Sequence, residues 1–233
     1  MKGRDAPVGP TADRPLRVRT ETRSSKQTRA LEVFRRLELE YPDVRCELDY
    51  SSPFQLLAAT ILSAQCTDKR VNMVTPALFA RYPDPELLAA ADPAELEALI
   101  KPTGFFRNKT KSLIGMAAAL VDRFGGQVPR SMEELVTVPG AGRKTANVVL
   151  GTAFNQPEGV VVDTHVGRVS RRLGLVRADD PVRAEQELIR LFPREDWTAL
   201  SHLLIFHGRR VCVARRPRCA ECVLNDLCPS SEV

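Results

Sequence analysis

The chain has 233 residues, 43% hydrophobic and 27% charged, a balance ordinary for a globular protein and long enough to bury one or two cores. Its net charge of +5 permits a polyanionic partner without demanding one. No apolar run approaches the roughly 18 residues that span a bilayer, and the N-terminus lacks a hydrophobic signal segment. Asp5, Asp13 and Glu21 interrupt the early arginines, against a transit peptide, so a cytoplasmic protein without a membrane role is expected.

Residues 1–25 hold Pro, Gly, Thr and mixed charges without apolar periodicity, and read as a flexible basic tail. From Thr28 onward helical spacing takes over. Leu31, Phe34, Leu37 and Leu39 predict a first helix. Pro53 then opens PFQLLAATILSAQ, apolar almost all round, which predicts a buried central helix. Thr67-Asp68 reads as the cap of a helix through Val71, Val74, Leu78 and Phe79. Asp92-Pro93 and Asp180-Pro181 repeat a capping residue followed by a helix-starting proline.

Further helices are predicted near 107–124, 131–138, 143–154, 164–173, 181–192 and 196–212. The one strand candidate, Val160-Val161-Val162, is three residues long and has no partner run. The expected fold class is all-α.

Four of the six cysteines fall in CVARRPRCAECVLNDLC, as Cys212-x6-Cys219-x2-Cys222-x5-Cys228. Two soft ligands two residues apart can wrap one metal centre, and the flanking pair completes a four-thiolate shell. Zinc and an iron–sulfur cluster both accept that shell, and either would fold a segment too polar to build its own core. Cys46 and Cys66 stand alone in apolar surroundings and read as core residues. Arg215, Arg216 and Arg218 lie in the x6 loop, where metal ligands at both ends would mount them rigidly toward a phosphate backbone.

SMEELVTV-PGAG-RKTANVVLGTAF reads as helix, glycine hairpin, helix. Its two glycines let backbone N–H groups converge at a helix N-terminus, a ready phosphate site, with Arg143 and Lys144 following at once. A cation in the first helical turn opposes the helix dipole, so Lys144 gains nothing in stability from that position. Asp163, just before THVGRVSRRLGL, reads as an N-cap, and His165 as a structural residue. One helix and one turn separate Lys144 from Asp163, close enough for the chain to bring them together. An amine and a carboxylate at one sugar suit Schiff-base chemistry, the amine as nucleophile and the carboxylate as proton acceptor.

Together ILSAQCTDKRVN, VPGAGRKTANVV, VVDTHVGRVSRRLGL and the four-cysteine tail resemble the endonuclease III family of the helix-hairpin-helix DNA glycosylase superfamily, over about residues 28–229 in the right order. The resemblance implies a six-helix barrel domain, 46–156, with its helix-hairpin-helix at 131–154. That domain is inserted into a second one, 26–45 and 157–233, which carries a [4Fe–4S] cluster on Cys212, Cys219, Cys222 and Cys228. It implies a monomeric, nucleoid-associated enzyme of bacterial type. The implied activity is removal of oxidised pyrimidines from duplex DNA followed by cleavage of the abasic site. Lys144 matches the catalytic lysine and Asp163 the catalytic aspartate. Gly140, Gly142, Arg143 and Thr145 match the hairpin's DNA contacts, and Gln65 the residue that fills the gap left by a flipped nucleotide. Phe105 stands where the best-known members carry leucine at the second wedge position.

Two alternative functions differ from this one in what they require of the chain. A monofunctional glycosylase of the same superfamily would lack the lysine at 144 and would carry a further domain after the last cysteine. A non-catalytic iron–sulfur DNA-binding module would not need Lys144 and Asp163 together.

Overall fold

The computed structural model describes residues 21–233, and positions 1–20 of the expected tail lie outside them. Helix α1 runs Arg23–Glu40. It starts earlier than Thr28 and takes in residues 23–25 of the expected tail, because the Thr22 hydroxyl accepts from the Ser25 N–H and caps it. Its buried face is Ala30, Val33, Phe34 and Leu37, the i, i+3, i+4, i+7 stripe of one helical side. Leu31 and Leu39, both expected on that face, are rotated off it and exposed.

Helix α2, Pro53–Leu62, is buried along nearly its whole length. The Ser52 hydroxyl caps its start, and the helix stops three residues short of Gln65. The next helix, α3 (Asp68–Arg81), is capped by Thr67 as its sequence suggests. Short helices α4 (Pro85–Ala89) and α5 (Pro93–Ile100) both begin with an aspartate cap and a proline; the first of these, at Asp84-Pro85, carries the same signal as Asp92-Pro93 and adds a helix to those expected from the sequence. A 3-10 turn, Lys101–Thr103, leads to α6 (Phe106–Phe124). The one-turn α7 (Met132–Leu135) and α8 (Arg143–Phe154) flank the hairpin.

These helices, α2 to α8, surround one core built from Leu56, Leu57, Leu62, Leu78, Leu113, Met116 and their neighbours. A second core joins α1 to the later helices α9 (Thr164–Arg172), α10 (Pro181–Leu188) and α11 (Trp197–Arg210). The chain therefore leaves its first helix, builds one core, and returns to complete another. Among the described residues no strand forms. Val160-Val162 forms neither helix nor strand, and the Val161 N–H donates to the Ser201 hydroxyl rather than to a neighbouring strand.

Candidate active site

A cleft of about 1550 Å³ opens between the two cores. Its walls include Gln65 and Thr67–Lys69 after α2, Lys144 and Thr145 from α8, Asp163 to His165 at the start of α9, and Arg209 from α11. Lys144 and Asp163 thus face one space from the N-terminal ends of two different helices.

Asp163 takes the capping place its sequence position predicts. Its Oδ1 accepts from the N–H groups of His165 and Val166, both at 2.8 Å, which caps α9. Among the described residues Oδ2 accepts no hydrogen bond, which leaves one carboxylate oxygen free. His165 is a structural residue that also lines the cleft, its Nδ1 3.2 Å from an Arg168 guanidinium nitrogen.

Lys144 is exposed and occupies the second position of α8. No side chain caps that helix, and its first turn carries no acidic residue, so its leading N–H groups face outward. Gly140 has φ +80°, and a Cβ there would meet Ser112 Cβ at 2.9 Å and Ile61 Cδ1 at 3.1 Å. Gly142 differs: its φ is −74°, and a Cβ would meet nothing within 4 Å. The protein itself has no packing need for glycine at 142. Gly140→Ala is expected to lower stability by about 1–2 kcal/mol from backbone conformation alone, with the steric clash added. A fall of several degrees in the thermal midpoint measures it.

Arg143 turns away from the cleft. It pairs with the nearly buried Glu185 at 3.2 Å and ties α8 to α10, where Asn147 also donates to the same carboxylate. Gln65 and Phe105 are both exposed, and both are non-glycine residues in the left-handed region, at φ +53° and +48°. Gln65 lines the cleft; Phe105 is outside the lining, on the loop before α6. Cys46 and Cys66 pack against the first core but also border the cleft, so neither is fully interior, and burial pushes the Cys46 thiol up.

Asp68, which the sequence places only at the start of α3, sits among the cleft's charges. Burial pushes its carboxyl up, the Asp163 carboxylate adds to that, and His165 and Lys144 oppose it. Arg209 donates to Asp68 at 2.9 Å and also pairs with Glu47, fixing one wall of the cleft. These partners are 141 and 162 residues apart, and no local pattern announces them.

Cys212, Cys219, Cys222 and Cys228 all line one small cavity beside the second core. None is in a disulfide. Among the described residues no group of His, Cys, Asp or Glu is placed to hold a single metal ion. Tetrahedral zinc, with bonds of about 2.3 Å, would draw its sulfurs to roughly 3.8 Å from one another. Four cysteines around one shared cavity are the thiolate donor set that an iron–sulfur cluster accepts. The surroundings suit anionic sulfur: an Arg172 guanidinium nitrogen lies 3.4 Å from Cys212 Sγ, and His207 Nε2 lies 3.4 Å from Cys222 Sγ. His207 Nδ1 faces the Tyr41 hydroxyl at 3.1 Å, so a ring protonated on Nε2 satisfies both partners. Arg172 also donates to the carbonyls of Val213 and Ala214, and Arg168 to that of Cys212. The loop bearing Arg215, Arg216 and Arg218 is therefore braced from α9, with all three arginines exposed and Arg218 3.7 Å from Glu221.

The fold and the two sites define a class, and comparison with known proteins agrees. The family described as HhH-GPD superfamily base excision DNA repair protein matches residues 58–194, and the iron–sulfur binding domain of endonuclease III matches 212–228. Endonuclease III of Synechocystis is 56% identical over 209 residues, covering 90% of this chain and 95% of that protein. Two solved structures, a non-covalent endonuclease III–DNA complex and a trapped endonuclease III–DNA covalent intermediate, each align with a TM-score of 0.83 and 43% identity. Each alignment covers 88% of this chain and 96% of the other. The chain belongs to the endonuclease III family. It is a base-excision repair enzyme, a DNA glycosylase and abasic-site lyase, with a [4Fe–4S] cluster.

Proposed function

We propose that the enzyme acts on duplex DNA carrying an oxidised pyrimidine or an abasic site, with Lys144 as nucleophile and Asp163 as its acid–base partner. The observation that carries this is the shared cleft, which Lys144 and Asp163 both line, with Asp163 Oδ2 accepting no hydrogen bond among the described residues. The neutral amine attacks C1′ of the flipped nucleotide and the bond to the damaged base breaks. Asp163 takes up a proton from the attacking nitrogen and offsets positive charge on the sugar. Ring opening yields a Schiff base between Lys144 and C1′. Loss of the C2′ proton then expels the 3′ phosphate and cuts the strand.

The rest of the surface serves the DNA. Amides of the Gly140–Thr145 hairpin take a backbone phosphate, and Arg143 adds charge beside them from its tether to Glu185. Gln65 and Phe105 enter the stack left by the extruded nucleotide, offsetting part of the few kcal/mol that flipping costs. Cys212, Cys219, Cys222 and Cys228 hold the cluster. When bound, it supplies iron–thiolate bonds that fold the segment bearing Arg215, Arg216 and Arg218 against a more distant phosphate. The two cores support a division into an inserted barrel, 46–156, and a cluster domain from 26–45 and 157–233. Among the described residues no helix is long and apolar enough to cross a membrane. The enzyme works as a monomer on nucleoid DNA in the cytoplasm. A solved covalent intermediate of a relative with DNA supports the nucleophilic route.

A duplex with one oxidised pyrimidine tests the proposal when free base and cut strand are scored together. Both products are expected at equal rates. Base release with the strand left intact would overturn the lyase assignment.

A further inference from the structure

Gln65 and Phe105 lie forty residues apart in sequence on separate loops, yet both hold the left-handed backbone that non-glycine residues avoid. Conformations of that kind persist where surrounding contacts over-determine them. One side chain touches the base of both loops. Lys109, in the first turns of α6, is only 5% exposed, and its ammonium donates to the Leu62 carbonyl and the Thr103 carbonyl, each at 2.8 Å. Leu62 is the last residue of α2, three before Gln65; Thr103 ends the 3-10 turn, two before Phe105. The backbone N–H of Lys109 also donates to the Phe105 carbonyl at 3.1 Å. Arg70 reaches the same loop more weakly, at 3.5 Å from the Pro102 carbonyl.

The chemistry suits a clamp. The carbonyl end of α2 carries partial negative charge, and an ammonium placed there is favoured by the helix dipole. The cation takes no carboxylate partner among the described residues; its acceptors are the carbonyls of the two loops. Burial would otherwise disfavour this charge, so the lysine is held by the junction it bridges.

We propose that Lys109 is a positioning residue that fixes the spacing between the two wedges, so that Gln65 and Phe105 enter the DNA stack together. The inference rests on the wedge roles given above to those two residues. Lys109 touches no reacting atom, so its effect should appear only where a base must be driven out of a duplex. An abasic site on single-stranded DNA needs little such work.

The test is borohydride capture of the enzyme on one abasic oligonucleotide, single-stranded and then in duplex, with the visible absorbance of the cluster reporting the fold. Lys109→Met is expected to lower the duplex rate by roughly 10- to 100-fold, the scale of a misplaced positioning group, while leaving the single-strand rate close to wild type. Lys109→Gln retains a shorter donor and should fall between, and it serves as the readout if the methionine variant does not fold. Gln65→Ala and Phe105→Ala run alongside and should show the same duplex-selective loss. A Lys109 variant with unchanged duplex capture, while those two lose it, would overturn the clamp alone. Equal losses on both DNAs would overturn it as well, since they would mark general damage to the cleft. Undiminished duplex capture by Gln65→Ala and Phe105→Ala would remove the wedge roles and the inference with them.

Discussion

Lys144→Gln is expected to abolish covalent capture on borohydride treatment and to slow strand cleavage by on the order of 10⁴- to 10⁶-fold, the scale on which loss of a nucleophile acts. Fold and DNA affinity should survive, because Lys144 is exposed and its side chain makes no hydrogen bond among the described residues. Removing a cation from the first turn of α8 relieves an unfavourable interaction with the helix dipole of about 0.3–1 kcal/mol. The variant should therefore be as stable as wild type or slightly more so. Lower activity with equal or higher thermal stability is the signature of a residue kept for chemistry. A variant that lost activity because it lost stability would point to a packing role instead.

Asp163→Asn should separate the two tasks of the aspartate. An asparagine oxygen can still accept from the His165 and Val166 N–H groups, so the cap on α9 is retained at nearly full strength. What is lost is the charge and the proton acceptor at Oδ2. A rate loss of about 10²- to 10⁴-fold with little change in thermal midpoint is the expected outcome. Asp163→Ala should add a loss of stability of about 1 kcal/mol from the missing cap. If asparagine restored full activity, the aspartate would be a cap and nothing more.

Much of this could be read along the chain, for identifiable reasons. Helix starts at Asp92-Pro93 and Asp180-Pro181 are local signals, each written within four residues. The cysteine spacing, the glycine hairpin and the capping position of Asp163 are local too. The face of α1 was harder, because Leu31 and Leu39 match a helical period nearly as well as the true stripe. Tertiary packing decided between them. Arg168, Arg172 and His207 around the cysteines, and Asp68 with Arg209 in the cleft, act across 15 to 141 residues, where neither periodicity nor spacing carries information. Lys109 escaped for a further reason. A lysine in a helical segment reads as a solvated charge, and its burial between the end of α2 and the 3-10 turn is visible only in the fold.

The cleft contains two lysines, Lys69 and Lys144, so the identity of the nucleophile is open to direct measurement. Wild-type enzyme reduced with borohydride on abasic DNA can be digested with nuclease and protease, and the sugar remnant located by mass spectrometry. The remnant is expected on Lys144, in the peptide that contains the hairpin. A remnant on Lys69, or on any other amine, would contradict the assignment of the nucleophile and the mechanism built on it.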